Sequence, residues 1–229
     1  MNSYDRVMAA LKGERDELDC VPCINSTSSC TMDLMKRFDV WWPDVHKDPE
    51  KMARAGSAAH RVCGLDMITI PFDMVVEAEV FGVQVDFHED QAGSKYGFWP
   101  SRKKALSKRI VPLIPPDDVQ AQGRVGVIVK AIKLLKEEFG GKVPVNVQMI
   151  PPFTSISYYI LDTVSFFISL RRGPDEVKDV LDEALPVYVE LAKIYSEAGA
   201  DIITFHDMGA HAKMISEVQF EQLVKPCLK

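Results

Sequence analysis

Several polar residues of catalytic type stand at or just beyond the ends of short apolar runs. Asn25 follows Val21-Pro22-Cys23-Ile24, and Asp73 follows the run through Ile70-Pro71-Phe72. Gln148 sits near the end of residues 143–149, and His206-Asp207 follow Ile202-Ile203-Thr204-Phe205. Amides orient polar ligands, carboxylates exchange protons or pair with cations, and histidine titrates near neutrality. If each run is a strand of one parallel sheet, these side chains emerge at the same end. In a barrel that end is the mouth, where barrel enzymes place their chemistry. Asp73 could equally cap the helix that follows it. Glu77 and Glu79 are two apart, so on a helix they diverge; at most one reaches a pocket and the other belongs to a solvated face. His206, Asp207 and His211 have the donor set of a zinc site, against the plainer reading of a neutral histidine hydrogen-bonded at the mouth. Cys20-x-x-Cys23 has no second pair, and Cys23 lies in an apolar run, so it reads as a buried structural thiol. His46, His60 and His88 read as surface or helix residues, and Trp41-Trp42 as a packed aromatic plug.

The elements that must position these residues follow from periodicity and punctuation. A first helix is capped near Ser3 and stopped by Gly13, and residues 32–38 form a second. Asp48-Pro49 starts a third that runs to about Cys63, where Gly64 ends it. Residues 83–87 alternate in polarity and predict a hairpin outside the main sheet, with its return strand flanked by Gly93 and Gly97. Residues 125–139 carry an apolar face on Val129, Ile132, Leu135 and Phe139. A helix from Pro174 to about Ala198 and a last one from Ser216 to about Leu228 complete the set. Strand, polar loop and helix recur four times. Strands separated by helices imply parallel pairing, with each strand apolar on both faces. An open doubly wound sheet is disfavoured, because no glycine fingerprint follows the first strand. The expected fold is α/β: a partial (β/α)8 barrel of about four β/α units plus a β-hairpin, one domain over residues 1–229. A closed barrel needs eight strands, so the chain reads as the N-terminal part of a longer barrel or as a truncated relative.

Composition narrows the rest. The chain has 229 residues, 27 Lys+Arg against 33 Asp+Glu, and a net charge of −6. With 47% hydrophobic and 26% charged residues it is neither disordered nor a disulfide-stapled miniprotein. The acidic balance, with no long basic run, argues against nucleic acid as a partner. Five cysteines and no export signal point to reduced thiols and a cytoplasmic location. The most apolar stretch, residues 156–170, is interrupted by Asp162 and is too short to cross a bilayer; it predicts a buried core helix.

A series of motifs resembles the uroporphyrinogen decarboxylase superfamily, and most closely its methylcobalamin:coenzyme M methyltransferase branch. The series begins with Arg6-Val7-Met8-Ala9-Ala10-Leu11-Lys12-Gly13-Glu14, Asp19 and Val21-Pro22. It continues through Trp42-Pro43-Asp44-Val45-His46 and Asp48-Pro49-Glu50, then Ile70-Pro71-Phe72-Asp73 with Glu77-Ala78-Glu79 and Phe81-Gly82. Pro152-Phe153-Thr154, Glu197-Ala198-Gly199-Ala200-Asp201 and Ile215-Ser216 through Phe220 to Lys225-Pro226 follow in order.

The resemblance implies a (β/α)8 barrel that moves a methyl group from a methylcobamide, free or on a corrinoid protein, to a thiol-type acceptor. It places Asp73, Tyr158 and Asp207 as catalytic residues; Asn25, Gln148 and His206, from their positions at the strand ends, and Glu77, just after Asp73, are expected to bind substrate. It also implies a zinc ion held by a His-x-Cys pair and a later Cys. No His-x-Cys occurs in this chain, whose nearest approach is His60-Arg61-Val62-Cys63, so no metal ligands are assigned here. The basic residues Arg102-Lys103-Lys104 with Lys108-Arg109 would contact an anionic cobamide tail or a partner protein, or else form a solvated loop. Two alternatives remain. One is tetrapyrrole decarboxylation, disfavoured because Asn25-Ser26-Thr27-Ser28-Ser29-Cys30 replaces the decarboxylases' arginine motif. The other is a non-catalytic binding or assembly subunit, in which open barrel edges pair as a homodimer or with a complementing C-terminal half.

Overall fold

The structure is a computed structural model that describes residues 1–28, 30–91 and 99–229. Its centre is a parallel sheet of β1 (Ile68–Ile70), β4 (Val145–Met149) and β5 (Ile202–Phe205), in the spatial order β1-β4-β5. Thr69 lies opposite Asn146, and Gln148 opposite Thr204. A separate antiparallel pair joins β2 (Val85–Asp86) to β3 (Ser101–Arg102). The hairpin is therefore present, but its described return strand lies at Ser101–Arg102; the expected return near Gly93 and Gly97 falls outside the described residues.

The helices are α1 (Ser3–Lys12), α2 (Met32–Phe38), α3 (Pro49–Cys63) and the short α4 (Val76–Val80). They continue with α5 (Val125–Phe139), α6 (Pro152–Thr154), α7 (Thr163–Arg172), α8 (Pro174–Glu197) and α9 (Glu217–Gln219). Their ends follow local chemistry. Asp48 accepts from the Glu50 and Lys51 amides with Pro49 behind it, and Gly64 closes α3 in the left-handed conformation. Asn2, not Ser3, caps α1, while the Ser3 hydroxyl donates to Asp66 at 2.7 Å. The apolar stretch 156–170 is not one helix. A π-helical segment, Ser155–Ile160, ends at Leu161, and Asp162 then caps α7 through the Ser165 amide. One carboxylate is enough to break the stretch, because it offers a helix start in mid-run.

The first apolar run, residues 21–24, lies beside β1 without joining the sheet. Its Cys23 carbonyl accepts from the Asp66 amide, but the Cys23 amide is taken by the Asp66 side chain at 2.9 Å, so no ladder forms. Val21 is 86% exposed and Cys23 is also exposed, which corrects the expectation of a buried thiol.

The two faces of the sheet differ, against the expectation of strands apolar on both sides. Ile68, Ile70, Val145, Val147 and Met149 enter the apolar core. The other face carries a polar ladder. Thr69 Oγ1 donates to the Asn25 carbonyl (2.7 Å), Asn146 Nδ2 to Thr69 Oγ1 (3.2 Å) and Thr204 Oγ1 to Asn146 Oδ1 (2.8 Å). Asn146 is fully buried, so this ladder satisfies groups that would otherwise cost free energy to bury.

On the core side α3 lies so close to β1 that a Cβ at Gly56 would meet Ile70 Cγ2 at 2.7 Å. Gly56→Val is therefore expected to cost about 1–3 kcal/mol by overpacking, read as a lower urea midpoint. An unchanged midpoint would mean that α3 can move off the sheet freely.

Candidate functional site

The loops after β1, β4 and β5, together with residues 25–28, meet at one end of the sheet. His206, just after β5, brings Nε2 within 2.9 Å of the Ser26 carbonyl and so ties the two edges of this mouth together. Gln148 Nε2 donates to the Pro71 carbonyl at 2.8 Å and reaches the Asp73 carbonyl at 3.5 Å, bridging β4 to the end of β1. Asn25 contributes its backbone carbonyl to the polar ladder, while its side chain closes a local turn by accepting from Thr27.

Asp207 is the acid of the mouth. Its Oδ1 accepts from the Thr154 hydroxyl, and Thr154 Oγ1 in turn accepts from the Gly209 amide at 2.7 Å. Asp207 Oδ2 is buried and has no partner among the described residues. Burial raises the Asp207 carboxyl above its ordinary range, and the Thr154 hydroxyl offsets only part of that. Tyr158 lies directly over Gly209, where an added Cβ would meet the ring at 2.8 Å and Thr154 Oγ1 at 2.9 Å. Thr154, Tyr158, Asp207 and Gly209 are thus one unit.

Asp73 is placed differently from the expectation of a pocket-facing carboxylate. Arg124 Nη1 donates to Oδ2 at 2.6 Å and Nη2 to Oδ1 at 2.9 Å, and the Val75 amide adds a third bond at 3.1 Å. The side chain is 1% exposed. Burial alone would raise its pKa, but the guanidinium holds the carboxyl well below the usual range. Arg124 Nε also donates to Glu79 at 2.6 Å, and its guanidinium lies 5.1 Å from the centre of the Phe87 ring.

His46, expected at the surface, is fully buried, stacked 4.5 Å from Trp42. Its Nδ1 lies 3.1 Å from Asp73 Oδ2, yet neither ring nitrogen completes an aligned hydrogen bond among the described residues. Burial lowers its pKa and keeps the ring neutral.

Glu77 and Glu79 correct the expectation of one pocket carboxylate and one solvated one, because both are largely buried. Arg124 engages Glu79. Glu77 accepts from the Ile150 amide at 3.1 Å with no cation bonded to it, and burial pushes its pKa up to about 7.

Two neighbouring cavities open at this end. One of about 440 Å³ is lined by Thr27, Ser28, Cys30, Trp42, Phe72 and Gln148. The other, of about 290 Å³, is lined by the Asp73 loop, Arg102, Tyr158 and Tyr159. Met74 and Trp99 border both. The Cys30 thiol is pushed up to about 11 by burial and stays protonated at neutral pH. Among the described residues no group of three or more His, Cys, Asp and Glu side chains could hold a metal ion. His211 is exposed and its Nδ1 accepts from the Lys213 amide at 3.3 Å, so the donors after β5 do not fit zinc.

The sequence model of the family described as uroporphyrinogen decarboxylase (URO-D) matches residues 2–229. The chain belongs to the uroporphyrinogen decarboxylase family. Within it, a methylcobamide:CoM methyltransferase, MtbA of Methanosarcina mazei, is 31% identical over 229 residues, 98% of this chain and 64% of that protein. A methylcobamide:CoM methyltransferase MtaA of Methanosarcina barkeri is 28% identical over 98% of this chain and 64% of its own length. A uroporphyrinogen decarboxylase of Aquifex aeolicus is 29% identical over 152 residues, 64% of this chain and 41% of its own. The solved structure of a methyltransferase from Methanosarcina mazei superposes with a TM-score of 0.88 at 29% identity, covering all of this chain and 65% of that one. The chain thus spans slightly under two thirds of these methyltransferase relatives, and its fold is a partial barrel of the URO-D kind.

Arg124 was given no role by the sequence, His46 was expected at the surface or on a helix, and Thr154 was part of a motif without a role of its own. Arg124 did leave a signal: it is the N-cap of α5, where a cation opposes the helix dipole unless a carboxylate lies nearby. Thr154 stood inside the Pro152-Phe153-Thr154 motif, but its partner lies 53 residues away and only folding brings them together.

Proposed function

We propose that this mouth is a methyl-transfer site in which a methylcobamide, free or on a carrier protein, is the donor and a thiol-type compound the acceptor. The observation that carries the reading is the unpartnered Oδ2 of Asp207, held beside Tyr158 at the end of β5. The methyltransferase relatives support it by their similarity over nearly the whole chain. In the transfer a sulfur–carbon bond forms, the cobalt–carbon bond breaks with its electron pair left on cobalt, and the thiol proton must be accepted. A carboxylate with one free oxygen and a raised pKa suits that acceptance. Tyr158, Gln148 and His206 line or brace the space, with Asn25 beneath them. Asp73, its carboxylate paired with Arg124, holds the mouth's shape. Zinc activation of the thiol would need ligands that the described residues do not supply.

Titrating the chain with methylcobalamin tests this directly. The expected result is a saturable change in the corrinoid spectrum that Asp207→Asn and Tyr158→Phe weaken without lowering the melting temperature. No spectral or calorimetric response at millimolar methylcobalamin would overturn the proposal, as would release of carbon dioxide from uroporphyrinogen.

A second reading, association through the sheet edge, rests on one observation. No described strand lies beyond β5, and Phe205 on it and Val21, in the run beside β1, are exposed. Here the chain pairs with a second copy or with a complementing half. A monomer in size-exclusion chromatography with cooperative melting would count against it.

A further inference from the structure

Arg102 is the one member of the basic run 102–109 that the fold turns inward. It sits on β3, half-buried, and its guanidinium is held by two neutral acceptors. Nη1 donates to the Leu161 carbonyl at 2.6 Å and Nη2 to the Thr163 hydroxyl at 3.4 Å. Arg6 and Arg124, the other well-covered arginines with bonded partners, each carry two carboxylates. Arg102 has no carboxylate within ion-pair distance among the described residues. The nearest acid acting on it, Asp162, is occupied by the Ser165 amide and hydroxyl at 2.9 and 2.7 Å. Asp73 also borders the cavity, but its carboxylate is 1% exposed and paired with Arg124. The Tyr159 hydroxyl is turned to Met74 Sδ at 3.1 Å. The fork is thus fixed in direction, with donors left over and no carboxylate bonded to it among the described residues, Asp162 acting only at longer range.

Arg102 is one of the residues lining the 290 Å³ cavity, together with Trp99, Tyr158 and Tyr159. That volume lies near the lower bound of small-molecule sites, about 300–1,000 Å³, and is too small for a corrinoid ring. Planar forks pair with carboxylates through two parallel hydrogen bonds, and aromatic walls suit a flat apolar body.

We propose that Arg102 anchors a small aromatic carboxylate in this cavity, with Trp99, Tyr158 and Tyr159 against its ring. The inference goes beyond methyl transfer, and its test does not use a corrinoid, so either reading can fail without the other.

The full chain is titrated with sodium benzoate at constant ionic strength, followed by calorimetry and by tryptophan fluorescence. Neutral benzamide and inorganic sulfate are run in parallel. Saturable benzoate binding is expected, with benzamide and sulfate each at least tenfold weaker. Arg102→Gln should lose benzoate at least tenfold. Arg102→Lys, which keeps the charge but not the fork, should lose it severalfold, and Lys103→Gln, an exposed neighbour, should bind as the parent does. Benzamide binding as tightly as benzoate would overturn the anionic part, and sulfate binding as tightly would overturn the aromatic part. Unchanged affinity in a folded Arg102→Gln variant would overturn the site. Should that variant fail to fold, unchanged affinity in Arg102→Lys would overturn the fork.

Discussion

Replacing Arg124 with methionine is expected to lower the unfolding free energy by about 3–5 kcal/mol, the usual consequence of leaving a buried charge without its partner. The substitution strands Asp73, whose side chain is 1% exposed, and removes the cation that Glu79 also uses. In the parent, burial keeps His46 neutral even though its Nδ1 lies 3.1 Å from Asp73 Oδ2. The deficit has a defined pH dependence. In the parent protein the Asp73 carboxyl lies below its unfolded value of 3.8, so its contribution is present above that value and is lost as pH falls through the folded pKa. In the variant the carboxyl titrates upward instead, so the gap between the two proteins narrows on acidification. Urea unfolding at pH 7 and pH 5 measures both effects. Adding Asp73→Asn to Arg124→Met removes the stranded charge and should recover part of the loss. A loss under 1 kcal/mol for the single variant would show that Asp73 is reached by water, and the rigid bridge between the β1 loop and α5 would have to be given up.

Glu77→Gln should act in the opposite direction. Burial raises the Glu77 pKa from 4.5 to about 7. Below pH 4.5 the group is protonated in both folded and unfolded chains and carries no penalty. Between 4.5 and 7 the unfolded chain ionises first, so stability falls as pH rises, and above 7 the full penalty stands. A shift of this size corresponds to about 3 kcal/mol at 1.36 kcal/mol per pH unit. Glutamine keeps a carbonyl oxygen for the Ile150 amide and carries no charge to bury. The variant is therefore expected to match the parent near pH 4.5 and to exceed it by roughly 3 kcal/mol at pH 8. Parallel stability curves for the two proteins would show that Glu77 finds a compensating partner on ionising, and the isolated carboxyl would be discarded.

Much of the architecture was legible along the chain because it rests on local rules. Asp48-Pro49 and Gly64 bound α3 as capping chemistry requires, and the apolar spacing of residues 125–139 is that of α5. The runs ending near Ile70, Met149 and Phe205 became parallel strands with Asp73, Gln148 and Asp207 at one end. Composition, periodicity and punctuation act over a few residues, so they survive without knowledge of what lies across the fold. Tertiary structure alone decided which polar groups are free. Nothing local tells that Arg124 will consume Asp73, 51 residues away, or that Thr154 will take one oxygen of Asp207 and leave the other. It also decided that His46 is interior, that Cys23 is exposed, and that the inner face of the sheet is a ladder of Thr69, Asn146 and Thr204. The reason is physical. The cost of burying a polar group depends on the partner that meets it there, and these partners come from segments that sequence distance keeps apart.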